Sequence, residues 1–259
     1  MIRWKSSMHR SFFRMNVLRT LSLATATLGL ATLGCGFSGS VPSVHAQASP
    51  LATVLSQLDA ASLRFKSARA DIKSDFYERV VKDTTTQVGT IYFERSGSSI
   101  QMGSVIADPA SKKTQKVLEY KNGIFRMFDP GVNQVTVVNA GSNQGQYETF
   151  LTLGFGGSGK ELARVWNITD QGPESLSDNG QPVKTEKLDL VPKDAGTKNQ
   201  VSHVTIWVDP TRGVTLKQIF YTTSGDYRTE TYSNIKLNGG IDRGSFKMHT
   251  DGHTTTVNH

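Results

Sequence analysis

The sequence predicts an α+β protein that is mainly β, with one antiparallel sheet and an amphipathic helix. Short stretches of alternating apolar and polar residues recur along most of the chain after residue 69. Turn-forming residues separate them, among them Asn122-Gly123 and Asp129-Pro130-Gly131, which suit tight hairpins. Strands joined by such short turns run antiparallel. Pro50–Arg64 instead repeats apolar residues at three- and four-residue steps, which predicts a helix.

The predicted helix begins at Pro50, and proline is favoured at a first helical position because no intrahelical N–H bond is lost there. Its apolar stripe needs a sheet to cover, and packing as ordinary core is the default interpretation of such a stripe. The stripe consists of Leu51, Val54, Leu55, Leu58 and Ala61.

The first two predicted strands have one wet face and one covered face. In Ala70–Val80 the apolar face holds Ala70, Ile72, Phe76 and Val80. In Val88–Arg95 it holds Ile91 and Phe93, and the alternation also places Arg95 there, at the end of the strand. The Arg95 guanidinium either reaches out to water at the rim or meets a polar group under the helix, and the pattern leaves both open.

The rest of the chain continues with short strands and polar connections. Gly141–Gln146 and Pro192–Gln200 are predicted as polar loops, and Lys160–Trp166 has helical propensity. No repeat of fixed period and no second domain boundary is visible. The further predicted strands are Ile100–Ile106, Val117–Tyr120, Ile124–Phe128, Gln134–Val138, Gln181–Val191, Val204–Val208, Val214–Tyr221, Tyr227–Lys236 and Ser245–His249.

Residues 1–46 have the layout of a secretory signal peptide. They carry five basic and no acidic side chains, then the apolar run Val17–Leu33, and small residues at Val44-His45-Ala46. We therefore expect an exported protein consisting of residues 47–259 as a single domain, with a polar, frayed tail from about residue 250. Thr32–Cys35 partly resembles a lipoprotein cleavage box but lacks Leu at the usual third position before Cys. Acylation of Cys35, which would anchor the protein to a membrane, is the alternative.

The basic character of the chain belongs mostly to the signal segment. Residues 47–259 carry 24 basic and 22 acidic side chains, a net charge of +2, because all five basic residues of 1–46 are removed. This balance gives no support for nucleic-acid binding. Cys35 is the single cysteine, so neither disulfides nor thiol chemistry would hold the exported chain together.

Two motifs resemble known binding sites, a phosphate loop and a zinc site, but neither has the required residues or spacing. Gly154–Lys160 matches a phosphate loop, but Glu161 follows where a Ser or Thr hydroxyl is needed for Mg²⁺, and we interpret the segment as a flexible hinge. His249, His253 and His259 fit no zinc spacing. No nucleophile-and-base motif is present, so we expect no catalytic residue, metal or cofactor.

One predicted strand has more apolar surface than a single buried face requires. Ile124–Phe128 is apolar on both faces, with Ile124 and Phe128 on one and Phe125 and Met127 on the other. The pattern does not decide which face is core and which could line a cavity for an apolar ligand. The candidates for a cavity lining are Leu55, Phe65, Ile72, Phe76, Ile91, Phe93, Phe125, Met127, Phe150, Phe155 and Trp166.

Residues 50–250 resemble the outer-membrane lipoprotein carrier family, the LolA-like periplasmic carriers. The resemblance rests on the order and spacing of several short motifs. They are Gly89–Arg95, Asn122-Gly123, Phe128-Asp129-Pro130, Gln134-Val135, Leu188–Lys193, Ser224–Lys236, and Ile241-Asp242 with Phe246. Ser96 stands where the family has Pro, and residues 139–180 are only loosely similar.

The resemblance implies an incomplete antiparallel β-barrel, that is, a strongly curved sheet, with the N-terminal helix and a short helical or loop lid over an apolar cavity. It implies a monomeric carrier that takes acylated lipoproteins from an inner-membrane ABC transporter and delivers them to an outer-membrane acceptor. Arg95 would bond the lid in the closed state, and Leu58 would matter for opening.

Two other functions stay open on the sequence. A domain of this type could be a lipid-responsive envelope regulatory or glycolipid-binding module that delivers no lipoprotein. A secreted hydrolase on a β scaffold is the third alternative, although the sequence holds no catalytic motif.

Overall fold

A single twelve-stranded sheet dominates the computed structural model, which describes residues 50–97, 99–141, 144–151 and 153–259. The predicted signal peptide, its cleavage site and Cys35 lie outside the described residues. The helices are α1 Pro50–Arg64, α2 Gln144–Leu151, α3 Gly159–Val165 and α4 Ala195–Lys198, with a 3₁₀ helix at Arg243–Phe246. The strands are β1 Ser67–Glu78, β2 Asp83–Ser96, β3 Ser99–Ala107, β4 Thr114–Lys121, β5 Ile124–Asp129, β6 Gln134–Asn139, β7 Trp166–Asp178, β8 Gln181–Pro192, β9 Val201–Asp209, β10 Val214–Thr222, β11 Tyr227–Leu237 and β12 Thr255–Asn258.

The strand order is β12-β6-β5-β4-β3-β2-β1-β11-β10-β9-β8-β7. Every neighbouring pair is antiparallel except β12 and β6, which pair in parallel. The sheet stays open, with β12 and β7 at its two edges. The predicted fold class, a mainly β α+β fold with an incomplete antiparallel barrel, is confirmed.

The sheet is strongly curved. In a flat sheet β7 and β11, four strands apart, would be separated by about 19 Å. Instead Cα atoms of β7 lie within 8 Å of β11. At Gly89 in β2 an added Cβ would lie 2.0 Å from the carbonyl oxygen of Val105, so the backbones approach too closely there for a side chain. The curvature gives the sheet an inner face, which the helices cover, and an outer face.

The turn chemistry of the β4–β5 hairpin is as predicted, and that of the next turn differs. Asn122 and Gly123 both have positive φ, at 51° and 74°, as a two-residue hairpin of this type requires. In the β5–β6 turn the positive φ falls on Asn133, at 47°, and not on Gly131. Asn tolerates this conformation because its short polar side chain can bond the local backbone.

Pairing and packing decide which side of Ile124–Phe128 faces inward. Phe125 packs against the inner core with Tyr120, the residue opposite it on β4. Phe128 is buried on the outer face with Val117 and Val135, and Met248 packs against them. Both faces of β5 are therefore covered, the inner face by the helices and the outer face by the C-terminal segment.

The C-terminal segment also covers Tyr92, which the alternation placed on the wet face. The ring of Tyr92 is buried and meets the ring of Phe246 edge to face, with 4.7 Å between the centroids. The predicted strand Ser245–His249 is wrong, because the 3₁₀ helix there turns Phe246 onto the sheet. We expected a frayed tail, but Thr255–Asn258 adds β12 to the edge of β6.

Other expectations also change. The strand β7 was not predicted; Trp166 begins this strand and does not end a helix. Part of the predicted loop Gly141–Gln146 belongs to α2, and part of Pro192–Gln200 forms α4. Val80 is exposed in the β1–β2 turn, beyond the end of its strand. No helix among the described residues is long and apolar enough to cross a membrane.

Replacing Phe246 by Ala tests the C-terminal cover. We expect the free energy of unfolding to fall by about 3 kcal/mol, because a buried aromatic ring is lost and Tyr92 is uncovered. Urea unfolding measures the change. Val132→Ala, at an exposed turn, is the control and should change stability by less than about 0.5 kcal/mol. A loss below about 1 kcal/mol for Phe246→Ala would contradict this packing.

Candidate functional site: a helical cover over an apolar inner face

Helix α1 lies with its apolar stripe on the inner face of the sheet. Val54 and Leu58 are buried together with Leu162 of α3 and with residues of β8 and β9. Ala61 is buried one turn further on, and Leu55 is partly buried in the same cluster as Leu58. The helix and the inner face thus form one continuous apolar interior.

Three glycines let α1 and its C-terminal extension rest directly on neighbouring backbone. An added Cβ at Gly159 would lie 2.1 Å from the carbonyl oxygen of Leu55. At Gly213 it would lie 2.6 Å from the Cβ of Ala61, and at Gly156 2.4 Å from the ring of Phe65. A side chain at any of these positions would push the helix away. The sequence suggested a flexible hinge at this glycine cluster, and the structure shows glycines used for close contact.

Arg95 bonds the groups that meet at the end of α1. Its Nη2 donates to the carbonyl oxygen of Gly156 at 3.0 Å and to Oγ of Ser62 at 3.4 Å. Its Nε donates to the carbonyl oxygen of Phe65 at 3.3 Å, and the guanidinium lies 5.8 Å from the centroid of the Phe65 ring. Ser62 Oγ donates to the same Gly156 oxygen at 2.9 Å. Arg95 thus meets polar groups under the helix, the second of the two alternatives.

Asn238 and Asp59 hold different parts of α1. Asn238 holds the C-terminal end: its Oδ1 accepts from the backbone N–H of Lys66 at 2.8 Å, and its Nδ2 donates to the carbonyl oxygen of Arg64 at 3.2 Å. In the middle of the helix, Asp59 Oδ1 accepts from the backbone N–H of Lys160 at 3.0 Å. The chain after α1 is therefore anchored to the sheet, whereas the body of α1 is held to α3 and the glycine cluster.

Sequence reasoning missed these partners of Arg95 and of the helix. Ser62 and Asp59 border the apolar stripe of α1, and that placement was the available signal. Asn238 and Gly213 lie in turn-forming stretches, Asn238-Gly239-Gly240 and Asp209–Gly213, and nothing in those stretches indicates a contact with α1.

Most of the predicted cavity residues share the interior. Phe76 is half-buried beneath the guanidinium of Arg228, at 5.7 Å from its ring centroid, and Met127 is half-buried opposite Leu118. Phe65, Ile72, Ile91, Phe93 and Phe155 are buried in one inner cluster, against which Phe125 packs; Trp166 is buried in the other, with Leu55 and Phe150 partly buried against it.

Little free space remains between α1, α3 and the sheet beside Phe155. The space beside Leu58, Phe155 and Leu162 is about 30 Å³, enough for about two water molecules. Phe155 fills the middle: it stacks on Phe93 at 4.8 Å and meets Tyr232 edge to face at 5.1 Å. A larger space of about 500 Å³ is an open, partly polar recess at the rim, beside Arg95 and Asn238. The apolar cavity that the resemblance implies therefore requires Phe155 or the helical cover to move.

Two buried tyrosines on the inner face donate hydrogen bonds to glutamates. Tyr232 is fully buried and donates to Glu230 at 2.8 Å, and burial together with Glu230 holds the pKa of this tyrosine well above its usual value. Tyr120 donates to Glu148 of α2 at 3.1 Å, and burial followed by the Glu148 charge raises its pKa too. Burial and the nearby Arg228 lower the pKa of Lys116. In the part of the chain that the structure describes, no group of three or more His, Cys, Asp or Glu side chains could hold a metal ion.

The fold is similar to that of several solved structures. An uncharacterized conserved protein from Thermus thermophilus is 9% identical and aligns over 80% of this chain and 98% of its own, with a TM-score of 0.49. A LolA superfamily protein from Nitrosomonas europaea is 14% identical over 76% of this chain and 96% of its own, with a TM-score of 0.36. The Mycobacterium tuberculosis lipoprotein LppX is 14% identical over 73% of this chain and 97% of its own, with a TM-score of 0.40.

No protein-family model matches the chain, and no curated protein matches it. The similarity to the solved structures concerns the course of the backbone, and no ligand or partner follows from it.

Proposed function

We propose that this protein is an exported carrier that shields the acyl chains of lipoproteins between its helical cover and the inner face of its sheet. The observation that carries the proposal is the placement of Arg95. The guanidinium of Arg95, at the rim of the inner face, bonds the end of α1 and the glycine cluster together. Such a polar contact between movable parts suits a cover that opens.

The chemistry of the interior suits acyl chains. Each CH₂ group removed from water contributes about 0.8 kcal/mol, so a chain is held by dry apolar contact alone. Aromatic and aliphatic side chains from both clusters supply that contact once Phe155 has moved aside. No catalytic step is needed for binding and release, and we propose none.

One buried donor supports a ligand with a carbonyl group. The indole N–H of Trp166 is fully buried and has no hydrogen-bond partner among the described residues. Buried donors are rarely left unpaired, since each costs about 1–3 kcal/mol. The ester or amide carbonyl that joins an acyl chain to a lipoprotein could accept this bond.

The proposed cycle follows from the two states of the cover. An inner-membrane ABC transporter would supply the acylated lipoprotein, a monomer of the carrier would bind it with the cover open, and an outer-membrane acceptor would receive it. Closure restores the hydrogen bonds of Arg95 and the seat of α1 on its glycines. That recovered energy favours the empty state and therefore release.

The direct test is whether the purified protein keeps an acylated lipoprotein in solution. We expect a soluble complex with the acylated form and none with the same lipoprotein lacking its acyl chains. A protein that leaves the acylated form in the membrane is not a carrier. Recovery of a signalling protein in place of lipoprotein would support the regulatory alternative.

Replacing Arg95 by Leu should favour the open state. Hydrogen bonds of a charged group contribute about 1.5–3 kcal/mol each, so losing these bonds should raise the affinity for a fluorescent acyl probe by about tenfold or more and slow its transfer to acceptor vesicles. Titration and stopped-flow transfer measure the two effects. Arg243→Leu, which removes an exposed arginine paired with Glu94 on the outer face, is the matched control. Equal transfer rates for the Arg95 variant and the wild type would count against the role of this residue.

Replacing Gly159 by Ala should push α1 off its seat. The new Cβ would overlap the Leu55 carbonyl, and we expect the empty protein to lose about 2 kcal/mol of stability. Because the open state binds the ligand, a saturating acyl probe should restore most of the loss. Urea unfolding with and without the probe measures both. Gly240→Ala, with nothing within 4 Å of its added Cβ, is the control. If the probe fails to restore stability, α1 is not a ligand-coupled cover.

A further inference from the structure

Three hairpin tips between strands β1 to β6 lie at one end of the sheet, and the turn 223–226 between β10 and β11 lies at the same end. The tips are residues 79–82 between β1 and β2, 108–113 between β3 and β4, and 130–133 between β5 and β6. Because β1 to β6 are neighbours in order and antiparallel, alternate turns fall at the same end. Arg95 lies at the other end, where β2 turns into β3. The inner face of the sheet therefore runs from the Arg95 contacts at one end to these tips at the other.

Two of the tips expose large apolar side chains. Val80 is 87% exposed and Val81 64% exposed in the first tip, and Val132 is 68% exposed in the third. Among the described residues, the other large apolar side chains that are exposed are Leu63 at the end of α1 and Val191 in β8. Hairpin turns normally carry polar residues, so valines at two tips of one end call for a partner.

Lysines accompany the apolar side chains. Lys82, Lys112 and Lys113 are exposed at the first two tips, and none of them forms an ion pair with a carboxylate of the described residues. Lys82 and Lys112 have positive φ, at 54° and 57°, within tight turns. The turns thus fix the backbone from which these two side chains extend into solvent.

Two carboxylates at these turns accept hydrogen bonds from backbone N–H groups. Asp108 accepts hydrogen bonds from the N–H groups of Ala110 and Ser111, at 3.0 and 2.7 Å. Asp129 accepts from the N–H of Gly131 at 2.8 Å. Glu78 and Asp83 are the last and first residues of β1 and β2, and they flank the first tip. Two further carboxylates border the tips: Asp226 accepts from the backbone N–H of Arg79 at 2.9 Å, and Asp251 accepts from Nδ2 of Asn133 at 3.0 Å. The lysines of the tips form no ion pair with any of these carboxylates.

We propose that this end of the sheet docks onto the surface of an anionic lipid bilayer, with Val80, Val81 and Val132 in the headgroup region and the lysines against lipid phosphates. A combination of exposed apolar side chains and lysines is what such a surface attracts. A protein partner would need a contiguous, well-packed area of about 1,000 Å². Separate tips do not offer that area, whereas a bilayer accepts separate insertions. The inference stands on the tips alone and is independent of what the interior carries.

Sedimentation with lipid vesicles tests the proposal on residues 47–259, which include the whole compact unit Pro50–His259. We expect binding to protein-free vesicles that contain phosphatidylglycerol, weaker binding at high salt, and little binding to pure phosphatidylcholine. The double variant Val80→Asp, Val81→Asp should bind about tenfold more weakly. Lys82→Glu with Lys112→Glu should weaken binding and remove most of its salt dependence.

Leu63→Ser is the matched control, because Leu63 is 89% exposed but lies at the end of α1 beside the Arg95 contacts. It should bind vesicles like the wild type. All variants change exposed residues, and an unchanged unfolding midpoint verifies that they fold. The proposal is overturned if the valine variant binds as well as the wild type. Binding only to vesicles that carry membrane proteins would overturn it as well and would indicate a protein partner.

Discussion

The hydrogen bonds of Arg95 are the interaction on which the closed structure depends. Arg95 is partly buried at the rim of the inner face, and hydrogen bonds from its charged donors stabilise it there. Its acceptors come from Ser62 in α1, from Phe65 at the turn into β1, and from Gly156 in the glycine cluster. They converge on Arg95 only when the helix, the turn and the cluster are all in place. One residue of β2 therefore couples three parts of the cover.

Close contacts at three glycines hold the same parts of the cover together. At Gly156, Gly159 and Gly213 backbone takes the place of side chains, so α1 and Phe65 sit closer to their neighbours than any other residue would permit. The close seat brings the Gly156 carbonyl within reach of both Arg95 and Ser62. It also positions Phe155, which fills the interior between Phe93 and Tyr232. If α1 lost its contacts with the glycines, the hydrogen bonds of Arg95 would break and the ring of Phe155 would be free to move.

Local signals in the sequence predicted much of the fold and part of the site. The bounds of α1 and the Asn122-Gly123 turn follow from periodicity and from positive φ, and both are local properties. The strand β7 was missed because Gly172-Pro173 interrupts it; the structure accommodates them at a register shift on an edge strand, where a missing N–H is tolerated. Alternation placed Arg95 on the inner face, but its partner Gly156 is 61 residues away along the chain. Contacts of that range come from the path of the whole chain, which no local pattern contains.

The proposed function requires α1 to separate from α3 before an acyl chain can enter. Asp59 and Lys160 are in contact across that boundary, and the described residues contain no cysteine. A disulfide between cysteines placed at positions 59 and 160 would hold the two helices together, and reduction would free them. The most direct measurement is the binding of a fluorescent acyl probe to this double variant before and after reduction. We expect no binding when the bond is oxidised and wild-type binding when it is reduced. Equal binding by the oxidised and reduced forms would show that the ligand does not enter beneath α1.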